Sequence, residues 1–252
     1  MSDRENKGLD WDYTRLAAHY DKRADYSHDG IRELLETTSP DPARPIADVG
    51  AGTGKLTKEL LSHGFSVHAV EPNDAMRSFG IENTRGQDVV WSVGTGETTG
   101  LTDSTYDLVT FGSSFNVTDR ARTLIEVKRI LRPGGWFACM WNHRDLDDDT
   151  QAAVEALIKA AIPEYGYGTR REDQTQVIRD SGLYKEPVAI EGRSVNRISV
   201  EDYVDAWRSH ATLQRQAKED FARVIGQIED LLSDRTEIDV PYTVRIWCAQ
   251  LV

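Results

Sequence analysis

Along the first 145 residues, short apolar runs alternate with stretches of helical spacing. The run Arg44-Pro45-Ile46-Ala47-Asp48-Val49 reads as a strand and leads into a glycine-rich turn. Leu56, Leu60 and Leu61 then recur on one face of a helix predicted over 55–63, which Gly64 ends. The alternation continues with a strand over 65–70, a helix over 73–79 and strands over 88–93 and 106–111. A helix over 119–131 is stopped by Pro133-Gly134-Gly135, and a fifth strand occupies 136–141. Parallel strands joined through helices need crossover connections, so the pattern predicts a sheet covered on both faces. Upstream, residues 1–8 are expected to be disordered. Residues 9–37 predict two helices broken near Ser27-His28 and closed by Ser39-Pro40-Asp41-Pro42.

After residue 145 the rhythm changes. Asp147-Asp148-Asp149 is expected to open a helix over 151–161, because acidic residues favour a first helical turn. A loop rich in Tyr, Gly and Arg follows over 163–171, then a helix to Ser181 closed by Gly182. A strand over 187–198, two helices over 200–233 and a final strand over 243–251 complete the chain. The expected fold class is α/β: a doubly wound, seven-stranded, mostly parallel sheet with helical lid elements.

Composition narrows the function. A chain of 252 residues suffices for one large α/β domain with a lid. No apolar run reaches the length of a membrane helix, and Met1 to Lys7 lack the apolar core of a secretory signal, so a soluble, cytoplasmic protein is expected. Thirty Lys and Arg against 42 Asp and Glu give a net charge of −12. The basic residues form no stripe, which argues against nucleic acid and anionic membranes as partners. Cys139 and Cys248 stand apart in apolar runs and are expected to be core residues rather than a disulfide or zinc pair. No metal is expected.

The segment Asp48-Val49-Gly50-Ala51-Gly52-Thr53-Gly54 carries the strongest chemical signal. Glycines just after a strand allow a tight turn and close approach of a ligand, and the next helix points its positive end there. Glu71, at the end of the second strand, is placed to accept hydrogen bonds from both hydroxyls of a ribose. This logic indicates an adenosine-containing ligand, NAD or S-adenosylmethionine (SAM). A G-x-G-x-x-G dinucleotide turn would need glycine at Lys55, whereas here the third glycine is Gly54, which favours SAM.

Residues 44–142 resemble the core of class I SAM-dependent methyltransferases of the methyltransferase-11 type. Four stretches carry the resemblance in order: Ile46 to Gly54, Glu71-Pro72, Gly94-Thr95-Gly96-Glu97 followed by Asp103 to Val109, and Leu131-Arg132-Pro133-Gly134-Gly135-Trp136. Trp141-Asn142-His143-Arg144-Asp145 further resembles the W-N-x-R-D ending of the trans-aconitate-methyltransferase-like branch. Arg23 to Ser27 resembles its R-P-x-Y-P segment without the prolines, and Ser114-Phe115-Asn116-Val117 departs from its A-F-H-W.

The resemblance implies SAM as cofactor and S-adenosylhomocysteine (SAH) as product. It assigns cofactor contacts to Asp48, Gly50, Ala51, Gly52, Thr53 and Gly54, to Glu71, Pro72 and Met76, to Thr95, Gly96 and Glu97, to Gly112, Ser113 and Ser114, and to Arg23. The implied organisation is an N-terminal helical lid over 1–40, a SAM-binding core over 41–145, and a completion of the sheet over 146–252. A helical insertion at about 199–235 is expected to cover the acceptor.

In an open α/β sheet the acceptor belongs at the carboxyl ends of the strands. His143, after the fifth strand, is the first candidate for a general base, because imidazole accepts protons at neutral pH. Asn116, His210 and Tyr20 are the further catalytic candidates. Arg144 is expected to anchor its own loop through Asp145. Trp11, Tyr13, His19, Tyr20, Arg23 and Tyr26 are lid candidates, as are Tyr203, Trp207, Arg208 and His210 and the Tyr165-to-Arg171 loop. The expected activity is methyl transfer to a small-molecule acceptor at oxygen or nitrogen. A SAM-binding protein acting through a partner and, by the glycine spacing less favoured, a nicotinamide-dependent oxidoreductase are the alternatives.

Overall fold

A computed structural model describes residues 23–252. The expected elements over 1–22, with Trp11, Tyr13, His19 and Tyr20, lie outside the described residues. Helix α1 (His28–Thr38) starts where Ser27 Oγ accepts the Gly30 N–H. It buries Ile31, Leu34 and Leu35, and stops at Ser39 in the left-handed region. Strand β1 (Ile46–Val49) is buried at all four positions, as a central parallel strand must be. Then come α2 (Lys55–Ser62), β2 (Val67–Val70), α3 (Asp74–Asn83), β3 (Val89–Ser92), β4 (Tyr106–Gly112), α4 (Arg120–Ile130) and β5 (Leu131–Arg144). Asn73 caps α3 and Asp119 caps α4 through their side-chain oxygens.

Helix α5 (Asp149–Ala161) begins where Asp148 accepts the Gln151 N–H, so the acidic run is a helix start. It is followed by α6 (Thr175–Asp180) and β6 (Val188–Ser199). Three helices, one more than expected, fill the insertion: α7 (Val200–Arg208), α8 (Ala211–Ala217) and α9 (Phe221–Leu231). Strand β7 (Glu237–Gln250) ends the sheet.

The seven strands run in the order β3-β2-β1-β4-β5-β7-β6. Pairs among β1 to β5 are parallel, whereas β7 is antiparallel to both β5 and β6. Helix α4 with Phe111, Phe137 and Trp141 packs one face of the sheet, and α1 and α2 with Leu108, Ala138 and Met140 pack the other. Helices α5, α7, α8 and α9 close a separate apolar cluster around Trp207. Cys139 and Cys248 are buried free thiols in the sheet.

Two strands are longer than the apolar pattern suggests. Pro133-Gly134-Gly135 is a bulge inside β5, where the register against β4 slips between Tyr106 and Leu108. At its other end β5 runs on to Arg144, so His143 and Arg144 stand on a strand opposite Thr243 and Tyr242 rather than on a loop. Strand β7 starts six residues before the expected position and carries Pro241 within it. The Pro241 carbonyl accepts the Asp145 N–H on the β5 side. Its ring nitrogen faces that same side, where β5 has ended, so the ladder to β6 loses nothing.

Candidate active site

The carboxyl ends of β1, β4 and β5 open into a cleft of about 1190 Å³ counting its mouth. Strand order reverses between β1 and β4, where open α/β sheets bind their ligands. The inner wall is Gly50 to Thr53 after β1, Gly112 and Ser113 at the end of β4, and Asn142, His143 and Arg144 on β5.

The glycine turn is fixed from beneath and from the side. Gly50 and Gly52 have φ of +69° and +60°, and a Cβ on Gly50 would lie 2.4 Å from that of Ser114. Gly54 caps α2 in the left-handed region, and no side chain bonds that helix start. The Thr53 hydroxyl lines the cleft, buried and without a hydrogen-bond partner, as expected of a group that meets a ligand. Glu71 is 7% exposed. Its Oε2 accepts the Gly52 N–H at 2.9 Å and its Oε1 the Asn73 N–H at 2.8 Å, leaving one lone pair on each oxygen. Burial raises its pKa, and the two N–H groups act against that rise.

Asp48 lies under the turn with no exposed surface. Thr57 and Thr110 donate to its two oxygens at 2.7 and 3.2 Å. Burial pushes its carboxyl up to about 6 despite those bonds. A carboxyl raised in the folded state binds its proton more tightly there than in the unfolded chain. Its favourable contribution is therefore complete below about pH 4 and lost as pH rises through about 6. Asp48→Asn should be more stable than the wild type at pH 8 by up to about 3 kcal/mol, with the gap closing toward pH 4. Denaturant melts at the two pH values measure this, and a gap independent of pH would contradict it.

Residues 23–26 cross the mouth as a strap. Arg23 donates to the Ser209 carbonyl (2.6 Å) and hydroxyl (3.1 Å) after α7. Asp25 meets Lys55 at 2.8 Å, and its carbonyl accepts Asn142 Nδ2 at 2.9 Å. The Tyr26 hydroxyl lies 3.1 Å from Ser113 Oγ. Ser113 itself has a φ of +60°, a strained conformation for a residue with a side chain.

Beyond His143 the wall is aromatic and basic. The Arg144 guanidinium lies 3.6 Å from the centre of the Trp207 ring and donates to the Tyr167 hydroxyl at 3.3 Å. Arg144 does not anchor to Asp145, whose Oδ1 accepts the Asp147 N–H instead. Arg171 lies 3.8 Å over the Tyr167 ring. The Tyr167 hydroxyl donates to Glu155 at 2.5 Å, and burial holds its pKa above the usual phenol value. His210 Nδ1 accepts the Leu213 N–H as the cap of α8, so the neutral ring presents Nε2 as a donor.

Of the site residues read from the sequence, Arg23, Asp48, Gly50 to Thr53, Gly112, Ser113, His143 and His210 line this cleft. Gly54, Glu71, Pro72, Met76, Thr95, Gly96, Glu97, Ser114 and Asn116 do not. Gly54 starts α2, Met76 packs under Gly52, and Ser114 donates to the Val49 carbonyl. Glu97 accepts the Asp119 N–H at the start of α4, and Asn116 accepts from Trp141 Nε1. Lys55, Asn196, Ile198 and Tyr242 line the cleft and were not singled out by the sequence. Asn196 and Ile198 lie on β6 opposite the part of β7 that extends beyond β5, and Tyr242 is the β7 residue paired with Arg144.

Known proteins resemble this chain in sequence and in fold. Residues 47–139 match the family described as methyltransferase domain, type 11. Over 113 residues the chain is 38% identical to an uncharacterized methyltransferase of Mycobacterium tuberculosis, covering 45% of this chain and 46% of that protein. The match thus spans about half the length of this relative. Over 172 residues it is 27% identical to a ubiquinone/menaquinone biosynthesis C-methyltransferase of Caulobacter vibrioides, covering 61% of this chain and 68% of that one. A type II methyltransferase candidate of Anaeromyxobacter dehalogenans shares the fold, with a TM-score of 0.64 and 21% identity over 90% of this chain and 97% of that chain. Residues 47–139 thus match a methyltransferase domain, and SAM is the methyl donor that enzymes with such a domain use. Among the described residues no helix is long and apolar enough to cross a membrane.

Proposed function

We propose that this protein transfers the methyl group of SAM to oxygen or nitrogen of a small-molecule acceptor. One observation carries the reading: a single cleft is lined both by the glycine turn and by the His143, Arg144 and Trp207 wall. The W-N-x-R-D ending at Trp141 to Asp145 supports a place near the trans-aconitate-methyltransferase-like branch. The acceptor is not carried over from that branch, because Ser114 to Val117 departs from its pattern.

Bound at the turn, SAM supplies an electrophilic methyl group on a sulfonium. The glycine turn, with Thr53 and Gly112, would seat the cofactor. The spare lone pairs of Glu71 would receive the ribose hydroxyls. In the transfer the acceptor forms a bond to the methyl carbon, the carbon–sulfur bond breaks, and its electron pair stays on sulfur. Any proton on the acceptor passes to a base, the role given to His143. Chain groups then contribute alignment and exclusion of water, and the strap and α7 wall the mouth for that purpose. The domain division follows the same reading: the strap and whatever precedes it act as a lid, and α7 to α9 cover the acceptor.

Titration calorimetry tests the cofactor half. SAM and SAH should bind and NAD should not. Glu71→Gln should weaken SAM by about 1–3 kcal/mol, the usual loss for bonds to a charged acceptor. NAD binding without SAM binding would overturn the reading.

A further inference from the structure

We propose that His28, Glu59 and His63 form a binding site for a divalent transition-metal ion of the zinc type, which clamps the start of α1 to α2. None of the three lines the cleft, and the site stands apart from the methyl-transfer reading.

The three side chains come from two elements. Glu59 on α2 and His63 at its C-cap stand four residues apart and therefore share a face. His28 opens α1 and reaches them across a sequence separation of 31. Both rings converge on one oxygen: His28 Nδ1 lies 2.7 Å from Glu59 Oε1, and His63 Nε2 lies 3.2 Å from it. The rings stack with centroids 4.2 Å apart and planes 12° from parallel, which holds the two nitrogens on the same side. Two imidazole nitrogens and a carboxylate oxygen are a donor set that zinc-type ions take. Binding puts the proton of each neutral ring on its outer nitrogen and frees the inner lone pair for the ion.

The spacing fits an ion. Bonds of about 2.0–2.2 Å to one tetrahedral ion set the donor atoms about 3.4 Å apart. The donor atoms here all lie within 4.8 Å of one another, so the ion enters with side-chain shifts on the order of 1 Å. The His28 side chain, 61% exposed, can make them. Glu59 and His63 are 16% and 12% exposed and already held by α2, which lowers the ordering cost of binding. Three protein ligands leave a fourth position to water. His63 also marks the C-terminal end of α2, where the helix dipole favours a cation. The positive end of α1 acts against this and is answered by Asp29 in its first turn. Asp25 already pairs with Lys55 at 2.8 Å, so an ion here adds a second fastening between α2 and the segment that leaves the strap.

The test uses the full, untagged chain dialysed against a chelator. Titration calorimetry with zinc chloride should show one ion bound per chain with micromolar affinity or tighter. Magnesium chloride should show none, because hard cations select oxygen ligands. Zinc in saturating excess should raise the melting midpoint by a few degrees. His28→Ala and Glu59→Gln should each weaken zinc at least about tenfold, the smallest loss usual even for an outer-shell partner of a metal ligand. His28→Ala should melt like the wild type without zinc, because the ring is exposed, and should lose the zinc-dependent rise. If Glu59→Gln does not fold, His28→Ala decides. Absence of zinc binding at micromolar concentration, or an affinity unchanged in both variants, would overturn the proposal. Magnesium bound as tightly as zinc would do the same.

Discussion

Replacing Gly52 by valine should abolish SAM binding while leaving a folded protein. Gly52 sits at φ +60° in the wall of the cleft, and its N–H is held by Glu71. A Cβ there would meet only the terminal carbon of Met76 at 3.3 Å, a flexible neighbour that can yield. The interior therefore tolerates the substitution, at a cost of about 1–3 kcal/mol for a β-branched residue in the left-handed region. The cofactor does not, because the added methyls occupy the space through which the ligand approaches the backbone. Calorimetry with SAM, beside a thermal melt, separates the two effects. A variant that melts a few degrees lower but binds SAM normally would show that this turn is not the cofactor loop.

The second large effect belongs to His143. It lines the cleft on β5, one residue before Arg144. If it takes the proton of the acceptor, His143→Ala should lower turnover by roughly 10²–10⁴-fold with SAM affinity nearly unchanged. The acid-side limb of the pH–rate profile should disappear in the variant. Wild-type turnover on a hydroxyl acceptor would place the base elsewhere. His210 is a poor substitute, because capping α8 uses the nitrogen lone pair that a base needs.

The glycine-turn half of the candidate site was legible because its signals are local. A glycine turn between an apolar strand and a helix, and an acid closing the next strand, are set by residues adjacent in sequence. The structure places them together through the Gly52–Glu71 bond. The opposite wall of the cleft is built from contacts across long separations, as between Arg144 and Trp207 or Arg23 and Ser209, and no periodicity reports these. The W-N-x-R-D stretch marked Arg144 as notable, but its nearest charged neighbour in sequence, Asp145, suggested the wrong partner. Strand length was the other gap. Pro133-Gly134-Gly135 and Pro241 are sequence breakers that the sheet absorbs, one as a bulge and one where β5 has already ended. That absorption puts His143 and Arg144 on a rigid strand, where their orientation is fixed by the pairing to β7.

The most direct measurement is transfer of label from methyl-labelled SAM by the purified protein incubated with a cell extract separated by size. The expected result is labelled material in the small-molecule fraction, formed with an equal amount of SAH. Label confined to protein or nucleic acid would contradict a small-molecule methyltransferase. SAM bound tightly with no SAH formed in any fraction would leave a binding protein in its place.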